Sequence, residues 1–283
     1  MMPKIYILLP VHNRKKITRG FVECLKAQTF SDYHLVLIDD GSTDGTAEMV
    51  KEHIPSATVL RGNGNWWWAG SLQRGLDWLK EIGADDKALV LFINDDVHFA
   101  QDYLERAVHV MADKKRVLVL SRFCTPDSGQ IMETGVSANL RRLSFNVSDS
   151  AERINCLSTR GLFACWEDIR TIGGFHPRLL PHYLSDYEYT IRAYRKGFKC
   201  ETSADLLIEP DHEATGYRMV NDKSFAGFLE KYSSKKSTVN PAYWSSFILL
   251  TSEPMWVIPN LVRIWIRAGK TVIRAYRASR KSC

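Results

Sequence analysis

The chain has 283 residues, of which 45% are hydrophobic and 25% are charged, and its formal net charge is +6 at pH 7. This length and composition allow one large hydrophobic core and exclude a disordered or fibrous protein. The six cysteines lie far apart without a Cys-x-x-Cys pair, which excludes a dense disulfide scaffold and favours reduced thiols. The first apolar run is too short for a signal segment, so we expect a cytoplasmic protein.

The first half of the chain alternates apolar runs with helical patterns. This rhythm predicts an α/β fold with a mostly parallel sheet, which binds ligands at the carboxyl ends of its strands. The predicted strands are residues 5–11, 35–38, 57–60 and 88–93, and the predicted helices are 17–28, 46–53 and 70–82.

The second half of the chain has a less regular pattern. We expect loops and antiparallel strands over much of it, followed by helices that end in a basic tail. The predicted elements are a strand at 117–123, loops and antiparallel strands at 124–160, helices at 165–172 and 186–196, and a strand at 204–208.

Two acidic clusters follow predicted strands, at residues 39–44 and 94–96. Two carboxylates about 4 Å apart repel by about 4 kcal/mol at an effective dielectric near 20, so such clusters need a cation or hydrogen-bond donors. Carboxylate oxygens suit Mg²⁺ or Mn²⁺, which also bind diphosphates. The alternative is that the acids at 39–44 only cap a turn and the helix after it, and that Asp95 and Asp96 are only turn residues.

Another acid, Asp186, lies near a predicted helix start. Ser185 and Glu188 have the spacing of a capping box, and Gly197 is expected to end the helix. Asp186 then lies in the first turn, where the helix dipole favours its ionised form, and an ionised carboxylate can act as a general base. The alternative is that Asp186 only stabilises the start of the helix.

Aromatic and histidine side chains add two further candidates. Trp66, Trp67 and Trp68 cannot all share one helix face, so we expect at least one in the core and one stacked on a sugar or base. His212 follows a predicted strand and can ligate a metal or contact a diphosphate, or it is a solvated or packing residue. The first strand is not followed by G-x-G-x-x-G, which argues against a nicotinamide enzyme.

The end of the chain is strongly basic, with seven cations and no acid over residues 263–281. Most of the cations recur at three- or four-residue steps and form one helical stripe, which is typical of a helix at an anionic membrane surface. A basic face packed on the rest of the protein is the alternative. The stripe consists of Arg263, Arg267, Lys270, Arg274, Arg277 and Lys281.

The other side of this predicted helix is apolar. Acidic, basic and proline residues interrupt residues 247–266, which argues against a membrane-spanning helix. The apolar residues expected opposite the cations are Leu261, Ile264, Trp265, Val272 and Ile273.

Together these segments resemble the large family 2 of inverting glycosyltransferases with the GT-A fold, over about residues 4–215. Residues 7–14 are similar to the family's opening, and residues 37–46 are similar to its most specific signature. Residues 62–70 resemble a segment of rhamnosyltransferase-like members. The resemblance implies a GT-A type, Rossmann-like, mostly parallel sheet flanked by helices, with a C-terminal helical appendage.

The resemblance also implies roles for individual residues. Asn94-Asp95-Asp96 takes the place of the family's metal-binding D-x-D motif, with Asn94 departing from the acid at its first position. Asp40 is expected to hold the nucleoside, Asp95 to contact a sugar or ribose, and Asp186 to be the catalytic base. The implied metal ligands are Asp96 and His212, and the implied donor-binding residues are Pro10, Asn13, Arg14, Asp40, Asp95 and Trp67.

We therefore expect a catalytic domain at residues 1–215 and a C-terminal helical region at 216–283. The domain would divide into a nucleotide-binding half, 1–123, and an acceptor-side half, 124–215. The implied reaction moves a sugar from a nucleotide-diphosphate sugar to a glycan or lipid-linked acceptor, with inversion and a divalent cation. An anionic membrane surface at the inner face is a further expected partner, and nucleic acid is not expected.

Two other functions remain open at this point. A nucleotidyltransferase that makes sugar nucleotides would carry a glycine-rich basic loop after its first strand, but no glycine precedes Gly20. A non-catalytic sugar- or nucleic-acid-binding protein would leave the ordered acids without a role.

Overall fold

The structure is a computed structural model that describes residues 2–125, 131–148, 150–211 and 224–280. The strands are β1 (Ile5–Val11), β2 (Tyr33–Asp39), β3 (Thr58–Arg61), β4 (Leu89–Phe92), β5 (Val97–His98), β6 (Val117–Cys124), β7 (Ile131–Glu133), β8 (Gly135–Asn139), β9 (Ser144–Ser148), β10 (Leu162–Cys165) and β11 (Lys199–Pro210). The helices are α1 (Lys15–Lys26), α2 (Thr46–His53), α3 (Trp67–Glu81), α4 (Tyr103–Met111), α5 (Trp166–Ile172), α6 (Ser185–Arg195), α7 (Phe225–Ser233), α8 (Pro241–Thr251) and α9 (Pro254–Ser279).

Nine of the described strands form one mixed sheet in the order β3-β2-β1-β4-β10-β6-β11-β5, with β7 beside β6. β1 pairs in parallel with β2 and β4, β2 with β3, and β6 with β11. β10 runs antiparallel between β4 and β6. The predicted α/β fold with a mostly parallel sheet is confirmed. Because β1, β2 and β4 are parallel neighbours, the loops that follow them meet at one edge of the sheet.

The sheet is buried on both faces. Successive side chains of a strand point to opposite faces, so Ile7 and Leu9 of β1 enter the core beneath α1, α2 and α4, whereas Leu8 enters the core beneath α3, α5 and α6. Burying one such side chain stabilises the fold by about 1.5–3 kcal/mol. The continuous apolar run of β1 therefore fixes it at the centre of the sheet.

The C-terminal helices pack on the second half of the chain. Val136 of the β8–β9 hairpin, Ile191 of α6 and Phe247 of α8 share one buried cluster. Ile248 of α8 and Ile264 of α9 form a second cluster beside the same hairpin. The predicted helical appendage is thus present and packed on the sheet domain. The proposed boundary at residue 215 lies outside the described residues and stays a prediction.

The predicted capping box at the start of α6 is wrong. Ser185 already lies inside the helix, because the residue before it, Leu184, has a left-handed φ of 70° and occupies the cap position. The Ser185 hydroxyl donates to the carbonyl of His182 at 2.5 Å. The Glu188 carboxylate instead accepts from the Arg192 guanidinium at 2.8 and 3.0 Å.

Helix α9 has three faces that differ in character. Asn260, Ile264 and Ala268 are buried against the protein. Among the described residues, no helix combines the length and the hydropathy needed to cross a membrane. An outer stripe of large apolar side chains is 44–72% exposed and recurs at helical spacing: Met255, Ile258, Val262, Trp265, Ile266, Ile273 and Tyr276.

The apolar side that the sequence predicts for this helix is divided in the structure. Ile264 belongs to the buried cluster that contains Ile248, and Leu261 packs against that cluster. Trp265 and Ile273 are instead more than half exposed. By helical spacing, the cations between these two apolar faces are Arg263, Arg267, Lys270, Arg274 and Arg277. The predicted Lys281 lies outside the described residues. We call the seven exposed apolar residues of α9 the outer stripe.

Candidate active site

At the carboxyl ends of β1 and β4, one arginine lies between two aspartates. Arg14 Nε donates to both carboxylate oxygens of Asp95, at 2.7 and 3.0 Å, and its Nη2 lies 3.3 Å from Asp96 Oδ2. The Thr18 hydroxyl also donates to Asp95, at 2.7 Å. Asp95 is only 4% exposed, and this burial raises its pKa, although Arg14 and Thr18 oppose the effect. Asp95 therefore fixes Arg14 at the edge of the sheet.

Asp96 presents an oxygen acceptor that the described residues do not satisfy. The Arg160 guanidinium lies 3.7 Å from Asp96 Oδ1, which is too far for a hydrogen bond. Within the described chain, Asp96 Oδ1 and Asn94 Oδ1 are buried without a hydrogen-bond partner. An unsatisfied buried polar atom costs about 1–3 kcal/mol, so these two oxygens mark the place of a donor, a water or a cation.

These two oxygens fit a divalent cation. Mg²⁺ typically binds protein through one or two carboxylates and takes its remaining ligands from phosphate and water. No group of three or more His, Cys, Asp or Glu side chains in the described ranges could hold a metal ion by itself. Asp96, with Asn94 beside it, could therefore supply only part of a coordination shell. The other predicted ligand, His212, lies outside the described residues.

The loop after β3 wraps around the carboxylate of Asp40. Asp40 Oδ1 accepts from the backbone N–H of Gly64 at 2.8 Å, and Oδ2 accepts from the backbone N–H of Trp67 at 2.9 Å. A Cβ atom at Gly62 would lie 2.6 Å from Asp40 Oδ1, so the loop can approach this closely only with glycine there. The predicted nucleoside-binding aspartate thus also holds the loop that carries the tryptophans.

The other acids of the first cluster stabilise turns. Asp39 Oδ1 accepts from the backbone of Ser42 at 2.8 Å. Asp44 accepts from the backbone of Thr46 at 3.1 Å and from that of Lys15 at 2.9 Å. For these two residues, the structure agrees with the alternative that they hold a turn and the start of α2.

Pro10 and Asn13 shape the loop between β1 and α1. Pro10 pairs with Ile38 of β2 and is half-buried at the end of β1. Asn13 has a left-handed φ of 52°, and its side-chain oxygen accepts from the backbone of Thr43 at 2.8 Å. Its own N–H donates to Ser42 Oγ at 2.9 Å. Asn13 therefore joins the two loops that would face a donor.

The three tryptophans connect the two halves of the site. Trp66 and Trp68 pack against the core beneath α3, as we expected for at least one of them. The Trp68 indole donates to Thr159 Oγ1 at 3.0 Å. The backbone N–H of Ala69 donates to the carbonyl of Pro181 at 3.0 Å. The first turn of α3 is therefore bonded to the segments that precede β10 and α6.

Trp67 lies among three side chains from the second half of the chain. Its ring centroid is 6.1 Å from that of His182, and the ammonium groups of Lys235 and Lys236 lie 5.4 and 5.7 Å from its ring. Trp67 Nε1 is buried without a hydrogen-bond partner among the described residues. Burial, followed by the charge of Lys236, lowers the pKa of His182 to about 4, so this imidazole is neutral at pH 7.

Asp186 occupies the first turn of α6, as predicted, and is half-buried. Its Oδ1 accepts from the backbone N–H of Tyr187 at 2.9 Å. The preceding residues include Pro181, which is bonded to α3, and His182, which lies against Trp67. The chain therefore runs directly from the contact with the donor half into the turn that carries Asp186.

Four residues reach the site that the sequence did not predict: Arg160, His182, Lys235 and Lys236. Arg160 lies beside Asp96, and the other three surround Trp67. The sequence offered only the adjacent pair Lys235 and Lys236 as a signal, and such pairs are common on solvated surfaces. Arg14, Arg160 and the two lysines supply the positive charge that a diphosphate would require at this edge, whereas His182 is neutral at pH 7.

The mixed sheet with its flanking helices has the fold of the GT-A glycosyltransferases. The mannosyltransferase PcManGT from Pyrobaculum calidifontis, in complex with GDP-Man and Mn²⁺, superposes with a TM-score of 0.60 at 17% identity, over 100% of this chain and 74% of that one. Staphylococcus aureus TarS in complex with UDP gives 0.59 at 14% identity, over 97% and 91%. The chain belongs to glycosyl transferase family 2, whose model matches residues 6–162. The predicted family is thereby confirmed.

Curated relatives are similar over part of their length. Glycosyltransferase AglE of Haloferax volcanii is 23% identical over 212 residues, which cover 73% of this chain and 66% of that protein. The UDP-N-acetylglucosamine–dolichyl-phosphate N-acetylglucosaminyltransferase of Methanococcus voltae is 24% identical over 189 residues, 59% of this chain and 74% of that protein. An uncharacterized glycosyltransferase of Haemophilus influenzae matches over 52% of its length. The chain thus spans about half to three quarters of these relatives.

Proposed function

We propose that the chain is a metal-dependent, inverting glycosyltransferase of the hexosyltransferase type, which moves a sugar from a nucleotide-diphosphate sugar to an acceptor hydroxyl. The observation that carries this proposal is the buried, unpartnered oxygen of Asp96 beside Arg14, at the edge where β1 and β4 end. Membership in glycosyl transferase family 2 supports glycosyl transfer over the nucleotidyltransferase and the non-catalytic binding protein.

The donor would lie along the loops that follow β1, β2 and β3. Asp40 and Trp67 would contact the nucleoside, with Pro10 and Asn13 beside them and Asp95 near the sugar or ribose. Arg14, with Lys235 and Lys236 across the site, would offset the charge of the diphosphate. The complexes of PcManGT with GDP-Man and of TarS with UDP support a nucleotide donor.

A divalent cation would be held by Asp96 and by His212. When bound, Mg²⁺ or Mn²⁺ supplies positive charge that stabilises the departing diphosphate. The Mn²⁺ in the PcManGT complex supports this choice. Before a cation binds, Arg14 and Arg160 would orient the Asp96 carboxylate, since each guanidinium lies within 4 Å of one of its oxygens.

Asp186 would act as the catalytic base. It takes the proton of the acceptor hydroxyl while the acceptor oxygen forms a bond to the anomeric carbon of the donor sugar. The bond from that carbon to the diphosphate oxygen breaks, and its electron pair leaves with the nucleoside diphosphate. Because the attack comes from the face opposite the leaving group, the configuration at the anomeric carbon inverts. No covalent intermediate on the protein is needed.

The acceptor would be a glycan or a lipid-linked compound of cell-surface polysaccharide or glycan synthesis. The dolichyl-phosphate acceptor in the name of the Methanococcus voltae relative supports a lipid-linked compound. Rhamnose remains a prediction for the sugar, because it rests on the likeness of residues 62–70 alone.

Thermal unfolding in the presence of nucleoside diphosphates tests the donor and the metal. A matching nucleotide at 100 times its Kd stabilises the folded state by about 2.7 kcal/mol, so Tm should rise by several degrees with Mg²⁺ or Mn²⁺ and much less with a chelator. Asp96→Asn should remove the metal-dependent part of the rise.

The exposed Asp102, which pairs with Arg106, provides the control: Asp102→Asn should respond as the wild type does. An equal rise in Tm with chelator and with metal would contradict the metal site. No rise with any nucleoside diphosphate would contradict the donor.

We also propose that helix α9 binds the protein peripherally to the anionic inner face of a membrane. The outer stripe would enter the headgroup region, and the cations beside it would meet anionic lipids, each contributing about 1 kcal/mol near the surface. A second copy of the chain fits the stripe less well. No acid lies on α9 to offset the repulsion between two such helices.

Co-sedimentation with anionic vesicles tests this placement. Replacing Ile258 and Ile266 together with glutamate should reduce the bound fraction by more than tenfold, because both residues lie in the outer stripe and the change adds charge and removes apolar area. Val147→Glu on β9, where valine is 70% exposed, should leave binding unchanged. Equal binding of the α9 variant and the wild type would overturn the proposal.

A further inference from the structure

His182 has an uncharged ring in a strongly positive part of the candidate site. Its imidazole centroid lies 6.1 Å from that of Trp67, and the ammonium groups of Lys235 and Lys236 lie 5.4 and 5.7 Å from the same indole. Burial, followed by the charge of Lys236, lowers the pKa of His182 to about 4, so its ring is neutral at pH 7. His182 therefore cannot share the role of offsetting diphosphate charge that we propose for the two lysines.

The ring nitrogens of His182 are available for hydrogen bonding. The backbone carbonyl of His182 accepts from the Ser185 hydroxyl at 2.5 Å, but neither ring nitrogen has a hydrogen-bond partner among the described residues. Neither nitrogen is among the fully buried, unpartnered polar atoms of the described chain, so both can reach a ligand. A neutral imidazole has one N–H donor and one nitrogen acceptor. A hydroxyl group matches this ring, because it can both donate and accept.

The packing around His182 fixes the direction of its ring. Tyr183 stacks on the imidazole with ring centroids 4.6 Å apart and an angle of 20° between the planes. The preceding residue, Pro181, accepts from the backbone N–H of Ala69 in α3 at 3.0 Å. The backbone on both sides of the imidazole is thus bonded before a ligand arrives. A hydrogen bond from a side chain held in this way is selective for the position of its partner.

The position of His182 places it between the two proposed substrates. Its ring contacts Trp67, a proposed contact of the nucleoside. Asp186, the proposed base, follows four residues later in the first turn of α6. In a single displacement, the anomeric carbon of the donor sugar lies between the leaving diphosphate and the acceptor oxygen that the base deprotonates. A ring between the nucleoside side and the base therefore faces the transferred sugar.

We propose that His182 is a specificity-determining residue, which forms a hydrogen bond with one hydroxyl of the transferred sugar. This inference rests on the proposed function and goes further, because it assigns a chemical feature to the donor sugar. A donor that lacks this hydroxyl would leave the half-buried imidazole without a partner and would therefore bind more weakly.

Donors that lack single hydroxyls test this contact. Calorimetric titration with GDP-mannose, UDP-glucose, UDP-N-acetylglucosamine and dTDP-rhamnose identifies the donor that binds most tightly, which is then compared with its monodeoxy analogues. One analogue should bind the wild type about tenfold more weakly than the parent donor does. His182→Phe keeps a stacked ring but removes both nitrogens. It should weaken binding of the parent by about the same factor and leave binding of that analogue unchanged, so the preference disappears.

Two further variants make the result specific. His182→Asn restores a donor and an acceptor and should recover part of the preference. His176→Phe is the matched control, because His176 lies in the same segment before α6 but is 3.9 Å from Glu188 instead. This control should show the wild-type preference.

A purely structural role of His182 predicts a different pattern. His182→Phe would then weaken the parent donor, every analogue and the free nucleoside diphosphate by one common factor. That pattern, or a wild type that binds every analogue as tightly as the parent, overturns the hydroxyl contact while leaving the proposed sugar transfer in place. Failure of every nucleotide sugar to bind contradicts the proposed function itself and this inference with it.

Discussion

Asp186→Asn is expected to lower kcat for sugar transfer by about 10²- to 10⁴-fold, the usual contribution of a general base. Asparagine has nearly the same shape, and its side-chain oxygen can still accept from the Tyr187 backbone N–H, as Asp186 Oδ1 does at 2.9 Å. It cannot take a proton from the acceptor. The affinity for the nucleoside diphosphate should therefore stay the same, which calorimetric titration can measure beside the transfer rate.

Asp168 offers a control for this experiment, because it is also an acid in the first turn of a helix. It lies in α5 and accepts from the backbone of Arg116 and Val117, at the opposite edge of the sheet. Asp168→Asn should keep kcat within about twofold of the wild type, as substitutions away from the reacting atoms do. A kcat for Asp186→Asn equal to that of this control would exclude Asp186 as the base.

Arg14→Met is expected to destabilise the protein by about 3–5 kcal/mol at pH 7.5, because it leaves the buried carboxylate of Asp95 without its cation. Burial already raises the pKa of Asp95 with Arg14 present, and the loss of Arg14 would raise it further. A raised folded-state pKa means that the penalty is absent below the unfolded pKa near 4 and grows as the pH rises above it. Urea unfolding at pH 4 and pH 7.5 should therefore give a smaller difference from the wild type at pH 4.

Two further variants make this prediction specific. Adding Asp95→Asn to Arg14→Met removes the buried charge and should restore part of the stability at pH 7.5. Arg106→Met breaks an exposed pair with Asp102 and should cost less than about 1 kcal/mol at both pH values. An equal loss for Arg14→Met at both pH values would show that lost packing, rather than the charge of Asp95, causes the destabilisation.

The central strands and the acids that follow them could be predicted from the sequence. β1 and β4 are short apolar runs buried on both faces, so their composition alone marks them. Asp95 and Asp96 come directly after such a run. A chain that leaves the carboxyl end of a central parallel strand must pass over the edge of the sheet where the candidate site lies. Local sequence was sufficient here because the relevant residues adjoin the strands that place them.

The start of α3 could not be predicted in this way. The sequence places the helix at 70–82, but it begins at Trp67, whose backbone N–H is bonded to Asp40. The Asp40 carboxylate, 27 residues earlier in the chain, thus accepts the hydrogen bond that a local capping side chain would otherwise accept. The same limit explains Arg160, Lys235 and Lys236, which reach the site from segments distant in sequence. It also explains the failed capping box, since the left-handed φ of Leu184 has no signature in the sequence.

The bonds from the first turn of α3 to Asp40, Thr159 and Pro181 have a mechanical consequence. A displacement of the loop around Asp40 on nucleotide arrival would pull on the segment that leads into Asp186, without any large hinge between the two halves. Nucleotide binding on one side would thereby change the position of Asp186, the proposed base, on the other, so a single helical turn would govern the order in which the two substrates bind.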